Sequence, residues 1–191
     1  VVNTESATGT VADDSPVTLI LDVASSGSGE VQEVLVMNAH LSASQDVEPG
    51  VWTKLNLDTI RVDGEGKKYG NDSDLVDGKF KPSVAGWYQV NGSVSQYCSP
   101  VSTNTGSVIY KNGYEDGGRI AMGSSVSGTT SSTSHVGAIV YLDGDEDYIE
   151  LFGSVSSTGT NRIHGSSPYT YLTAHLIANQ SSGGSDVGTT T

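Results

Sequence analysis

Gly86-Trp87-Tyr88-Gln89-Val90-Asn91-Gly92-Ser93-Val94 is the stretch on which the fold turns. Read with a period of two, it places Tyr88, Val90 and Val94 on one face and Trp87, Gln89 and Asn91 on the other. That is a sandwich strand with one side made for a core and a mixed second side. Helical periodicity is nearly absent from the rest of the chain as well, so the elements around this strand are expected to be strands too.

Upstream, Val34 to Leu41 aligns Leu35, Met37, Ala39 and Leu41 on one face; the opposite face starts apolar and ends with Asn38, His40 and Ser42. A Pro49-Gly50 turn leads to a strand over Val51 to Leu57. Thr59 to Val62 and a polar loop from Gly64 to Asp74 come next, and Phe80 closes a short strand before Pro82. Downstream, Ser107 to Lys111 ends in Asn112-Gly113, the dipeptide of a type I′ hairpin because both central positions need positive φ. Arg119 to Met122 is its expected return strand. Ser124 to Ser134, almost all Ser, Thr and Gly, predicts a long exposed loop or a weak edge. His135 to Leu142 and Tyr148 to Phe152 flank the acidic turn Asp143 to Asp147, and Tyr169 to Ile177 closes the series. About eight to ten strands at such intervals predict an all-β, two-sheet antiparallel jelly-roll sandwich.

A chain of 191 residues should bury about 70% of its unfolded surface, enough for one domain without staples. The lone Cys98 has no disulfide partner and is expected to be a small buried apolar thiol. With 22 acidic against 9 basic residues and a formal charge of −13, no basic patch exists to displace counterions, so nucleic acid is not an expected partner. No apolar window reaches membrane-spanning length, and Val1 to Glu5 lacks the pattern of a secretory leader, so a soluble chain made in a cytoplasm is expected. The division runs 1–33 as an N-terminal arm, 34–178 as the jelly roll and 179–191 as a flexible Ser/Gly/Thr tail. Within the arm Val17, Leu19, Ile20 and Leu21 form a strand-grade apolar run suited to attachment.

The run Phe80-Lys81-Pro82-Ser83-Val84-Ala85-Gly86-Trp87-Tyr88, then Ile109-Tyr110-Lys111-Asn112-Gly113, then Val140-Tyr141-Leu142 to Asp147-Tyr148-Ile149-Glu150-Leu151, then Tyr169 to Ile177, resembles the C1q-like jelly roll of the complement and tumour-necrosis-factor type. In that family a Phe, Pro and Gly-aromatic-Tyr opening precedes a Tyr-Lys-Asn-Gly hairpin, a Leu-x-x-Gly-Asp turn and a closing aromatic strand. The match spans roughly residues 34 to 177. Ser42 to Gln45 and Gly50 to Lys54 look most like the copies found in bacteriophage fibre and virion proteins. The acidic turn and the first 30 residues depart from the pattern.

The resemblance implies a compact homotrimer around a three-fold axis. Tyr169 and Tyr171 on one face of the last strand, with Trp87 on its mixed face, are the expected interface aromatics, each able to bury about 150–250 Å². In the family's topology the first and last strands are neighbours, which puts His40 and His175 near each other and near the axis.

Enzymatic chemistry finds little support. The four histidines are dispersed and offer no metal-ligand spacing. Asp143 to Asp147 has carboxylates at alternate positions like the start of a calcium loop, but lacks the later Gly and distal Glu, and reads as a solvated hairpin turn. No Gly-x-Ser-x-Gly elbow is present, and Cys98 has no identifiable base. No catalytic residue, metal or cofactor is therefore expected. The expected role is a trimeric protein on the outer surface of a phage particle, decorating or cementing the capsid or forming a head fibre, with the major capsid protein or another virion protein as partner. The competing expectation is a tail-fibre receptor tip holding host surface glycans in loops such as Ser124 to Ser134 or Thr158 to Ser167. A secreted adhesin subunit is disfavoured by the lack of a leader.

Overall fold

The computed structural model describes residues 36–62, 65–101, 104–113, 118–125, 128–166 and 168–179. The arm with Val17, Leu19, Ile20 and Leu21, and all but the first residue of the tail, lie outside the described residues. In chain order the strands are β1 (Val36–His40), β2 (Gln45–Asp46), β3 (Thr53–Lys54), β4 (Thr59–Ile60), β5 (Leu75–Val76), β6 (Lys79–Phe80) and β7 (Gly86–Ser99). They continue with β8 (Asn104–Lys111), β9 (Arg119–Ser125), β10 (Ser131–Leu142), β11 (Ile149–Ser156), β12 (Thr160–Ile163) and β13 (Tyr171–Asn179). One 3-10 turn, Asp72–Asp74, precedes β5.

Two antiparallel sheets form, as the alternation requires. The seven-stranded sheet runs β2-β12-β7-β13-β1-β4, with β10 on the free side of β7. The six-stranded sheet runs β5-β6-β11-β8-β9, with β3 also on β11. Sequence neighbours β7 and β8 sit in different sheets, as do β10 and β11, which makes this a jelly roll rather than a meander.

Between the sheets the inward residues of every long strand meet. Met37 and Ala39 of β1, Tyr88, Val90 and Val94 of β7, Leu151 and Val155 of β11, and Leu172 and Ala174 of β13 are all buried in one cluster. The sheets press together at Gly92, where a Cβ would stand 2.6 Å from Leu151 Cδ1. Cys98 is buried and free.

Several expectations change. Of the two forms expected for Ser124 to Ser134, the long loop gives way to sheet edge: Ser124 and Ser125 end β9 and Ser131 to Ser134 begin β10, and among the described residues each of these strands pairs on one side. The reason is a polar interior at that pole. Ser134 Oγ lies 2.8 Å from Ser107 Oγ across the sandwich, Ser132 Oγ lies 2.7 Å from Thr105 Oγ1, and Gln96 Nε2 donates to Ser132 Oγ at 2.7 Å. Hydroxyls that satisfy one another can face a core, which hydrophobic alternation does not register. Asn112 and Gly113 take positive φ (58° and 97°), but they do not close a two-residue hairpin. Lys111 N–H instead donates to Gly118 O, so the connection runs from 112 to 118. The strand expected over Val51 to Leu57 shrinks to Thr53–Lys54, although Leu55 and Leu57 still enter the core.

Candidate self-association surface

Strands β1, β7, β10 and β13 contain no Asp, Glu, Lys or Arg. In a chain that is 16% charged, that absence is concentrated on four adjacent strands of a single sheet. Their inward residues are spent on the core. Their outward residues make a broad face: Trp87, Gln89 and Asn91 from β7, Tyr171, Thr173 and His175 from β13, His135, Gly137, Ile139 and Tyr141 from β10, and Asn38 and His40 from β1.

Register arranges these residues in rows. His40 pairs with Tyr171, Tyr171 with Ser93, and Ser93 with His135. Four residues along, Val36 pairs with His175, His175 with Gln89, and Gln89 with Ile139. Beyond them Trp87 pairs with Tyr141, their rings edge to face at 5.6 Å. Ile139 is 61% exposed, Trp87 46% and Ile177 46%, an unusual amount of uncovered apolar side chain on one sheet. Between the rows lies a concavity of about 370 Å³ lined by Asn91, Gly92, His135, Val136, Gly137 and Tyr171. Gly137 keeps it open, because a Cβ there would come within 2.8 Å of Asn91 Oδ1.

At the other end of the face a second aromatic group gathers. His164, just past β12, stands 6.2 Å from the Tyr97 ring and 5.5 Å from the Tyr169 ring. The neighbouring Arg162 holds Asp46 through two hydrogen bonds, 2.6 and 3.2 Å.

Four of the five residues expected at the interface, Trp87, Tyr171, His40 and His175, thus share one face. Tyr169 sits in the turn before β13 rather than on it, 51% exposed. His40 and His175 are on paired strands but four residues apart in register, about 13 Å at the usual strand rise, so they are not the close pair expected. Sequence reasoning missed His135, Ile139 and Tyr141. The alternation of β10 held the signal, since both its faces carry large apolar groups. His40 Nδ1 and Asn38 Oδ1 are buried without a hydrogen-bond partner among the described residues. Burial lowers the His40 pKa, with Arg61 adding to the effect and Asp58 opposing it.

The outward face of the other sheet is partly covered by its own residues, although Met122 on β9 stays exposed. Val108, Tyr110 and Phe152 are buried there under Trp52. The indole lies directly on Gly106, where a Cβ would be 2.4 Å from the ring. Lys54 pairs with Glu150 at 3.0 Å, and the Arg119 guanidinium stands 5.9 Å from the centre of the Tyr110 ring.

The acidic turn closes on itself in a similar way. Asp143 Oδ1 accepts the N–H groups of Asp147, Asp145 and Glu146 at 2.9 to 3.0 Å, and these hold its carboxyl below the usual range. Burial pushes the Asp147 carboxyl up, but the Asn112 amide at 2.8 Å and the Lys111 ammonium at 2.7 Å outweigh it and its pKa falls. Two of its carboxylates are therefore committed to protein donors instead of being aimed at a shared point, as a calcium site needs.

Sequence comparison matches the chain to no protein family and to no curated protein. By structure it is similar to murine APRIL. Against the crystal structure at pH 8.0 the TM-score is 0.57 at 12% identity, and against that at pH 5.0 it is 0.56 at 11%, each over 76% of this chain and all of the other. It also aligns with Eiger TNF from S. frugiperda at a TM-score of 0.46 and 11% identity, over 78% of this chain and 95% of that one. At these identities the likeness is one of fold, a jelly roll of the tumour-necrosis-factor and C1q type.

Proposed function

We propose that this chain is a non-enzymatic structural module that associates as a homotrimer through the charge-free face of β1, β7, β10 and β13, and that it decorates or cements the outer surface of a phage particle. One observation carries the assembly: a face without Asp, Glu, Lys or Arg, bearing Trp87, Tyr141, Ile139 and Ile177, in a chain of formal charge −13. Association there desolvates no strong charge and covers apolar surface, while the acidic residues stay in water and keep particles apart. A heterologous contact related by three-fold rotation closes on itself and needs no further partner. The phage setting rests on the resemblance of Ser42 to Gln45 and Gly50 to Lys54 to virion copies, with the arm through Val17 to Leu21 as the part that grips the shell.

Electron microscopy of particles labelled with an antibody to this chain tests the setting. Label over the capsid supports decoration, label at the tail tip supports the glycan-binding alternative, and unlabelled particles contradict both. Removal of residues 1–33 separates the first two further: it should abolish particle attachment for a decoration protein and leave host adsorption intact for a receptor tip.

A further inference from the structure

The chain has four histidines, and all four present themselves on the same side of the same sheet. His40 lies on the outward face of β1, His135 on that of β10 and His175 on that of β13, while the His164 ring stands against Tyr97 and Tyr169. Dispersed in sequence, they are gathered by topology onto one side of one sheet, three of them on strands without a carboxylate.

We propose that this face is an acid-operated release: protonation of its histidines separates the three copies as pH falls below neutrality, leaving each jelly roll folded. The inference rests on the trimer reading above. A neutral imidazole can be buried with its hydrogen bonds met by a sister copy. Each imidazolium formed in that interface would be a desolvated charge, and three-fold symmetry repeats it beside like charges.

Among the described residues, the strand partners of His135 and His175 bring no counter-charge. His175 is flanked by Val36 and Gln89, and His135 by Ser93 on β7, with the uncharged Gly123 of β9 against its backbone. His40 faces Tyr171 and Thr59, with Asp58 and Arg61 nearby. Asp58 accepts from neutral donors, the Ser42 N–H at 2.8 Å, the Ser42 hydroxyl at 2.6 Å and the Thr59 hydroxyl at 3.1 Å, and keeps its charge beside His40, so the release is assigned to His135 and His175. Beside His164 the nearby ion pair is Arg162 with Asp46, which occupy each other. Because the interface accepts the neutral form, association is favoured at the higher pH and is lost as the imidazoles take up protons.

Sedimentation velocity of the full chain at pH 7.5, 6.5 and 5.5, with far-UV circular dichroism at each pH, tests this. The expected result is three chains per particle at pH 7.5 and one at pH 5.5, reversible, with an unchanged β spectrum. A His135→Gln/His175→Gln variant should move the dissociation midpoint down by about one pH unit, and the single His135→Gln variant, at an exposed position, should move it part of the way. A wild type still trimeric at pH 5.5, or variants that dissociate at the wild-type midpoint, would overturn the switch while leaving the trimer standing. A single chain already present at pH 7.5 overturns the assembly, and the switch with it.

Discussion

Asn112 shows how much one residue holds. Its backbone is left-handed, its side-chain amide donates to Asp147, its side-chain carbonyl accepts Tyr148 N–H at 3.0 Å, and its own N–H reaches Tyr148 O at 3.0 Å. It therefore ties the end of β8 to the acidic turn before β11. Asn112→Ala should cost about 1–3 kcal/mol through two lost side-chain bonds and a strained φ. Chemical denaturation of both proteins checks this, and an unchanged midpoint would contradict it. Asp74 works in the opposite direction. It is buried near Tyr88, whose hydroxyl donates to Val84 O, and burial raises its pKa, while burial and then Asp74 push the tyrosine up to about 12. A raised carboxyl weakens the fold as pH climbs through it. Asp74→Asn should therefore melt higher than the wild type at pH 7 and show little difference at pH 3. The four carboxyls held low, Asp46, Asp58, Asp143 and Asp147, contribute stability above pH 3.8 that is lost below it. Thermal melts should accordingly fall steeply between pH 4 and pH 2. From the sequence, Asn112-Gly113 was legible as a positive-φ turn because only its own backbone was needed. Its grip on Asp147 was not, since that partner lies 35 residues away and is brought close by sheet pairing.

Strands split into those that hydrophobic alternation reveals and those it hides. The inward residues Tyr88, Val90 and Val94 of β7, and Met37 and Ala39 of β1, all fall where a period of two puts them. Beyond Val94 the same strand continues to Ser99 with Ser95 and Gln96 buried, so its length was invisible to any rule that equates burial with apolarity. Ser131 to Ser134 could be read only as loop or weak edge for the same reason. Its inward hydroxyls are satisfied by Ser107 and Thr105 of β8, a relation between two sheets that no local window contains. The cross-sheet pair can be tested. Ser107→Ala or Ser134→Ala alone leaves one buried hydroxyl without its partner and should cost about 1–3 kcal/mol, whereas the double substitution should cost less than the sum of the two. Strict additivity in a double-mutant cycle would show that the hydroxyls do not interact. Thr53–Lys54 lies inside the longer strand expected over Val51 to Leu57, whose ends fall away because the pairing to β11 covers only two residues.

At the scale of the molecule, the two outer faces differ in kind. One is roofed by Trp52 and stitched by Lys54 and Glu150; the other lies open with Trp87, Tyr141, Ile139 and Ile177 on strands without Asp, Glu, Lys or Arg. Trp87 and Tyr171 could be singled out from sequence because large aromatics on a strand's second face are conspicuous. The charge-free character of the face was equally present in the sequence, but only the pairing order β10-β7-β13-β1 turns four separated segments into one surface. Ile139, on the outer strand β10, is the most exposed of the large apolar residues of this face, so a carboxylate there should block association without touching the core. Sedimentation equilibrium at pH 7.5 of the wild type and of Ile139→Glu puts this directly to the test. The wild type should weigh three times 19.8 kDa, and the variant should weigh one chain with the same melting temperature for its β signal. A single-chain wild type, or a variant that still assembles in threes, would contradict it.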